Sequence, residues 1–401
     1  MKILYIHQYF VTPKQPGGTR SYWISKELIK NGHEVIMLTA TKDKNKPREM
    51  VIDGIKVIYL KIPYDNHMGI FKRLISFLKF MILSALYVLR TKKPDLVIGT
   101  STPLTVGFPL LVGKKLRKLP YVFEVRDLWP EVPVQMGGIK NKLAIKLLYR
   151  FEKSIYKNSL HVVALSPGME DGVIKAGTPE CKVTTIPNMS KIDKFWPREK
   201  NQELMKELNL RPDTFKVIYF GAMGLANGME YIIDGARHLK DEKDIEFLFV
   251  GDGSTKPLLE ERAKNEGLDF MHFYGKVPMA KLSETVNLSD VSLVTFADLP
   301  ILATNSPNKL FDTLSAGKPL IVNSPGWTKT MVESEKCGVF VDPKNPKELA
   351  EQILAYKNDP KRRDEFGKNA RILAEKKFDK SILCKQFAEV INNIDTDYIK
   401  K

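Results

Sequence analysis

The run Ser306-Pro307-Asn308-Lys309-Leu310-Phe311-Asp312-Thr313-Leu314-Ser315-Ala316-Gly317-Lys318-Pro319 puts a cation, an acid and helix-start chemistry within a few residues. Its spacing predicts a helix capped by Ser306, with Pro307 at the first helical position and Gly317 and Pro319 as a stop. The amides of Asn308, Lys309 and Leu310 would then lie in the first turn. Unpaired N–H groups there, together with the helix dipole, favour an anion such as a diphosphate. Lys309 adds a mobile positive charge. Asp312 follows it by three residues on the same face, so the two could hold a phosphate and a pair of ribose hydroxyls. An ordinary capped helix carrying a surface Lys–Asp pair has the same spacing.

Three further clusters carry weaker signals. Phe247-Leu248-Phe249-Val250-Gly251-Asp252-Gly253-Ser254 is an apolar strand ending in a glycine-rich turn, where Gly251 would let backbone approach a ligand; any tight turn from strand to helix reads the same way. Gln15-Pro16-Gly17-Gly18-Thr19-Arg20 follows the first strand, so Gly17 and Gly18 could offer amides, and Arg20 a charge, to a phosphate in a cleft between domains. As a turn it is equally ordinary. In Phe123-Glu124-Val125-Arg126-Asp127-Leu128-Trp129-Pro130-Glu131, three carboxylates and an arginine crowd a strand end, which is unfavourable to bury without a ligand or mutual pairing. The histidines His7, His33, His67, His161, His238 and His272 show no ligand spacing, and Asp395-Thr396-Asp397 lies in the tail, so no metal is expected.

Strand-length apolar runs at residues 3–6, 35–38, 96–98, 121–123 and 162–164 alternate with helical patterns and must position these clusters. The rhythm pauses near Ile186-Pro187-Asn188, in a polar stretch with Lys191, Asp193, Lys194 and Pro197, and resumes at Lys216-Val217-Ile218-Tyr219-Phe220-Gly221. Further strands are expected at 247–250, 270–273, 291–295, 320–322 and 339–341. Two doubly wound α/β domains follow, with ligands beyond the carboxyl ends of their strands. A chain of 401 residues with 43% hydrophobic and 9% aromatic residues has material for such cores. Cys181, Cys337 and Cys384 are dispersed, which suits neither a disulfide framework nor a zinc site and points to a reducing compartment; with no leader-like start, a cytoplasmic location is expected.

Sixty-three lysines and arginines against 47 acids leave a formal charge of +16, which favours anionic partners. No nucleic-acid motif accompanies it, so no nucleic-acid partner is expected and an anionic membrane surface is the better match. The most apolar stretch, residues 70–89, is interrupted by Lys72, Arg73 and Lys79, which leaves it too short to span a bilayer. A helix of this kind could dip into a membrane interface or simply pack between two strands.

Taken together, these residues resemble the retaining family 4 glycosyltransferases of the GT-B fold over nearly the whole chain. Gly17-Gly18 looks like the family's N-terminal glycine loop, and Ile186-Pro187-Asn188 with Phe195 and Pro197 resembles its interdomain signature. Val250-Gly251-Asp252-Gly253 and Phe273-Tyr274-Gly275-Lys276-Val277 resemble its VGDG and F.G.V elements. Asp312 and Ala316-Gly317-Lys318-Pro319 fall on its E-A-x-A-x-G-x-P motif. The resemblance implies two Rossmann-like domains facing a central cleft: residues 1–195 binding the acceptor, 196–375 binding the nucleotide sugar, and 376–401 a helix crossing back.

It also implies that Val277 reads the nucleobase through its backbone, that Asp312 binds ribose hydroxyls, and that Asn308, Lys309 and Leu310 hold the diphosphate and donor sugar, with Gly221, Asn227 and Gly251 beside them. Arg126 and Asp127 would orient donor or acceptor hydroxyls, with Arg20 and Glu131 on the acceptor. The chain departs from the family's G-R-L-x-x-x-K-G loop, where the arginine and lysine become Ala222 and Asn227; the first acid of its E-x7-E becomes Thr304, and Arg126 stands where a histidine is expected. Lys309 is the candidate replacement cation. Arg-Asp-Leu-Trp-Pro-Glu with Pro307-x-Lys309 is similar to L-fucosamine transferases of O-antigen synthesis. That similarity implies a nucleotide-sugar donor, UDP-linked, as substrate with no cofactor, and a polyprenyl-diphosphate-linked sugar acceptor met at the inner face of the cell membrane. A nucleotide-sugar 2-epimerase and a noncatalytic membrane-associated partner remain as alternatives.

Overall fold

The Val- and Ile-rich runs become strands because each side chain can be covered from both faces of a parallel sheet. The computed structural model describes residues 1–15, 17–65 and 68–394; Pro16, His67 and Asp395-Thr396-Asp397 lie outside the described residues. The chain divides into two compact units, Met1–Pro187 with Thr304–Ser306 and Ser381–Lys401, and Asn188–Ala303 with Pro307–Lys380.

The first unit holds β1 (Lys2–Ile6), β2 (Glu34–Thr41), β3 (Glu49–Ile52), β4 (Ile55–Lys61), β5 (Leu96–Thr100), β6 (Tyr121–Val125), β7 (His161–Ala164) and β8 (Val183–Thr185), in the order β3-β4-β2-β1-β5-β6-β7-β8. All pairs are parallel except β3 with β4. Those two strands form a hairpin closed by Asp53-Gly54, both at positive φ. Sequence direction reverses at β1, which has β2 on one side and β5 on the other, so the carboxyl ends of β1 and β5 mark this sheet's switch point.

The second unit holds β9 (Phe215–Ala222), β10 (Ile245–Asp252), β11 (Met271–Tyr274), β12 (Val291–Val294), β13 (Leu320–Val322) and β14 (Gly338–Phe340), all parallel, in the order β11-β10-β9-β12-β13-β14. Its switch point lies between β9 and β12. One face of the sheet packs Val217, Tyr219, Phe247 and Phe249 against Ile232, Leu349 and Ile353; the other packs Ile218, Phe220 and Leu248 against Phe195 and Val286.

The division falls at Pro187/Asn188, short of the 195/196 boundary expected from the polar stretch. The reason is local: Ser190 N–H donates to the Phe378 carbonyl at 2.7 Å, Lys380 N–H donates to the Ser190 carbonyl at 3.0 Å, and Phe195 is fully buried in the second unit's core. The chain rejoins the first unit at Ser381, later than residue 376, and there Asn392 Oδ1 lies 2.8 Å from His33 Nε2. Cys181 is exposed, and Cys337 and Cys384 are buried.

Candidate active site

In the second unit the helix starts one residue later than its spacing suggested. Pro307, extended at φ −78° and ψ 138°, takes the cap position, and Asn308–Ser315 is helical. Ser306 therefore lies outside the cap. The amide of Leu310 is also not free, because it donates to the Pro307 carbonyl at 3.1 Å, and the Leu310 side chain is wholly buried. The expected stop is present, with Gly317 at φ +63°.

Lys309 is 8% exposed. Its ammonium sits 3.8 Å from the centroid of the Tyr219 ring and donates to the Tyr219 hydroxyl. No carboxylate pairs with it among the described residues, and burial alone pushes its amine down to about 7. Asp312 does not share a partner with Lys309. Lys191 Nζ stands 2.9 Å from Asp312 Oδ1 and 3.1 Å from Oδ2. Burial raises the Asp312 carboxyl above its usual value, with Lys191 opposing.

The end of β9 meets this helix, and the end of β10 lies against the end of β9. Gly221 at φ +116° would carry a Cβ 3.5 Å from Lys309 Cε, and a Cβ on Gly251 at φ +149° would stand 1.9 Å from the Gly221 carbonyl oxygen. Only glycine allows these two strand ends to run so close. Asn227 shapes this loop: its Oδ1 accepts the Gly224 amide at 3.3 Å and its carbonyl accepts the Thr295 hydroxyl at 2.8 Å. Val277 lies in the turn after β11, and its backbone makes no hydrogen bond among the described residues. Asn308 is half-buried at the helix start.

In the first unit, residues at the ends of β1, β5 and β6 converge. Arg126 Nη1 is 3.2 Å from His7 Nε2, His7 Nδ1 is 2.8 Å from Ser21 Oγ, and the Arg126 amide donates to Ser101 Oγ at 2.9 Å. Burial, then Arg126, holds the His7 ring well below its usual value, so it is neutral. Among the described residues Asp127 has only a long contact from Thr102 Oγ1, at 3.5 Å, and burial pushes its carboxyl up to about 6 despite Arg126.

The acidic cluster divides between roles. Glu124 accepts from Thr100 Oγ1 at 2.6 Å and from Arg20 Nε at 2.7 Å; burial raises its pKa, but Arg20, Arg126 and these hydrogen bonds outweigh it and hold the carboxyl below its usual value. Arg20, expected on the acceptor, is thus ion-paired inside its own unit. It is 2% exposed, and its remaining nitrogens donate to the carbonyls of Pro187 and Ile186. Glu131, also expected on the acceptor, already accepts from Gln135 Nε2 at 2.6 Å and from the Tyr149 hydroxyl. Gly17, at φ +133°, and Gly18 lie in the loop before the helix Arg20–Lys30. Among the described residues no three His, Cys, Asp or Glu side chains converge as a metal cluster.

Residues 200–373 match the family described as glycosyl transferases group 1, and residues 17–189 match the glycosyl transferase 4-like domain. The chain belongs to the group 1 glycosyltransferases of the GT-B fold. It is 29% identical over 342 residues to a glycosyl transferase assigned to colanic acid biosynthesis in Escherichia coli (strain K12), covering 80% of each chain. It is 22% identical over 293 residues, 71% of this chain and 73% of the relative, to the N,N'-diacetylbacillosaminyl-diphospho-undecaprenol alpha-1,3-N-acetylgalactosaminyltransferase of Campylobacter jejuni. Anabaena HepE in complex with UDP and glucose superposes with a TM-score of 0.71 at 18% identity, covering 98% of this chain and 99% of that one.

For this glycosyltransferase, the sequence reading passed over Lys191, Tyr219 and His7. Lys191 read as one cation of a polar linker and Tyr219 as one more core residue of a strand. His7 was set aside as an isolated histidine, yet its place at the end of the first strand, beside a sheet's switch point, was a usable signal.

Proposed function

We propose that this glycosyltransferase moves a sugar from a UDP-linked donor to a polyprenyl-diphosphate-linked glycan in surface-polysaccharide assembly, with retention of configuration. The observation that carries the reading is Lys309: a buried cation with no carboxylate, beside Gly221 at the end of β9. A diphosphate leaving group supplies the missing negative charge, and the amides at the helix start add to its stabilisation. Asp312 and the open backbone of Val277 then serve ribose and base. On the acceptor side, Asp127 and Arg126 orient hydroxyls, while the departing phosphate oxygen takes the acceptor proton as the new glycosidic bond forms on the same face. The UDP of the HepE complex and the undecaprenol-linked substrate in the Campylobacter relative's name support this choice of donor and acceptor.

A lipid-linked acceptor requires a way to reach the membrane. The helix Ile70–Arg90 exposes Phe71, Leu74, Ile75, Leu78, Ile82, Leu83 and Leu86, while Ser76, Phe80, Ser84 and Val88 are buried. Its outward face is thus its apolar one, with Lys72 and Lys79 alongside. No helix among the described residues is long and apolar enough to cross a membrane. We assign this face to shallow insertion at an anionic, cytoplasmic membrane surface, where apolar burial and lysine charge act together.

The test is a mass-spectrometric screen of nucleotide sugars, UDP-linked N-acetylated amino sugars such as L-FucNAc first, against a polyprenyl-diphosphate disaccharide, with and without EDTA. Transfer that persists in EDTA, with an anomer retained by NMR, is the expected result. Isomerisation of the donor without acceptor would reassign the chain to an epimerase, and binding without any turnover would leave it a noncatalytic partner.

A further inference from the structure

Lys309 does not reach the end of β9 unaided. Tyr219 is 1% exposed and precedes Gly221 by two residues on β9, so it lies on the same side of the strand. Its hydroxyl donates to the Ala222 carbonyl at 2.6 Å. That single phenolic proton is thereby committed, so the oxygen is left to accept from Lys309 Nζ. The ring supplies a second attraction, with Nζ 3.8 Å from its centroid. Tyr219 thus ties the ammonium to the turn that contains Ala222 and Asn227, the positions where the resemblance expects cations and this chain has none.

We propose that Tyr219 is the positioning residue that holds Lys309 against the glycine turn at the end of β9, so that one lysine on the helix supplies the charge for the donor diphosphate. The proposal rests on the donor-site reading above.

The surroundings of Lys309 give this arrangement a measurable signature. On its own helix, Asp312 is taken up by Lys191; at the end of β10, Asp252 pairs with Lys276 at 3.4 Å. From β12 the helix meets Ser292, bonded to Thr313 at 2.9 Å, and from the helix Pro360–Leu373 it meets Arg371, which donates to the Ser315 carbonyl at the far end, at 2.7 Å. Tyr219 is its titratable contact from β9. With its amine at about 7, Lys309 is divided between charged and neutral forms in the empty site near neutral pH. Binding of a diphosphate favours the charged form, so binding above that pH takes a proton from solvent, and affinity falls about tenfold per pH unit until the bound form also titrates.

The experiment is calorimetric titration of UDP, GDP, ADP and dTDP into the full chain, in buffers of different ionisation enthalpy, between pH 7 and 9. At pH 8 the wild type is expected to take up close to one proton per bound UDP. Lys309→Arg keeps a cation that does not titrate there, and its uptake should be close to zero. Tyr219→Phe keeps the ring but loses the acceptor oxygen. Its donor KM should rise about tenfold with kcat within about twofold, and the break in affinity should move to lower pH because the ammonium has lost a stabilising partner.

Circular dichroism and thermal unfolding check that both variants fold. A wild-type KM and pH break in Tyr219→Phe overturns the proposal and leaves the donor-site reading standing, whereas uptake unchanged in Lys309→Arg takes Lys309 off the diphosphate and overturns both. Failure of all four nucleotides to bind the wild type removes both.

Discussion

Arg20 in the first unit and Lys309 in the second are both buried cations, 2% and 8% exposed, and their surroundings treat them oppositely. Arg20 has the Glu124 carboxylate at 2.7 Å and two backbone carbonyls, so its charge is met and each of its nitrogens has a partner inside its own unit. Lys309 has a phenol. A buried charge without a counter-charge is disfavoured, and in a folded protein it persists where something else compensates it. The difference separates two residues that the sequence alone presents as equivalent phosphate contacts: the satisfied one builds the unit, and the unsatisfied one is the residue we propose for the donor diphosphate.

Paired substitutions can break that distinction. Arg20→Met leaves Glu124 buried without its partner and is expected to destabilise the protein by about 3–5 kcal/mol. Lys309→Met removes a charge that nothing in the unit neutralises, so its thermal midpoint should hold or rise. Its kcat/KM for donor should instead fall about 10²- to 10³-fold, the scale seen when a charge-stabilising group is removed from a leaving group. Denaturant unfolding and donor kinetics on both variants provide the check. Lys309→Met unfolding as readily as Arg20→Met would falsify the contrast.

Asp127 extends the comparison within the first unit, because it is the carboxylate that the Arg20–Glu124 network leaves out. Asp127→Asn should lower kcat about 10²-fold. Wild-type kcat/KM should rise with pH through about 6, where the carboxyl ionises, and the variant should lack that limb. The sign for stability is opposite. A carboxyl whose folded pKa is raised contributes stability below its unfolded value, near 4, and loses it as pH climbs through 6. Above pH 6 the ionised Asp127 is therefore a strain, and Asp127→Asn should melt about 2 °C higher at pH 8. Equal activity loss at pH 5 and pH 8 relative to wild type would rule out Asp127 as the titrating group.

Much of the fold was readable from period and punctuation. The runs at 3–6, 35–38, 96–98 and 121–123 each became a parallel strand, since buried parallel strands are written as unbroken apolar stretches. The hairpin of β3 and β4 was missed although Asp53-Gly54 announces a two-residue turn and Val57-Ile58-Tyr59-Leu60 is a continuous apolar run after it. The helix that carries Asn308, Lys309 and Asp312 was readable because one segment held its start and stop signals. The site was not readable where partners are distant in the chain. Arg20 meets Glu124 across 104 residues, and Lys309 meets Tyr219 across 90. Spacing within a motif carries no trace of such pairings, so nothing in the loop around Arg20 announces its ion pair with Glu124.

Lys191 sharpens the comparison further, because it is a buried cation with a carboxylate whose partner is itself expected to bind a ligand. Its contacts of 2.9 and 3.1 Å to the two oxygens of Asp312 oppose the effect of burial on that acid. In Lys191→Met burial acts alone, and the Asp312 pKa moves further up. A protonated Asp312 is a poorer acceptor for ribose hydroxyls, so UDP affinity should fall about tenfold at pH 6. The loss should shrink as pH rises and the carboxylate reforms, reaching about twofold by pH 8.5. Lys191→Arg, which keeps the charge, should stay near wild type across this range. Lys309 gives the opposite pH slope, since its diphosphate contact weakens as pH rises. Titrating UDP into Lys191→Met and wild type at pH 6, 7 and 8.5 therefore separates the ribose end of the site from the phosphate end. A pH-independent loss in Lys191→Met would mean that Lys191 acts by packing, and that Asp312 does not depend on it for its charge.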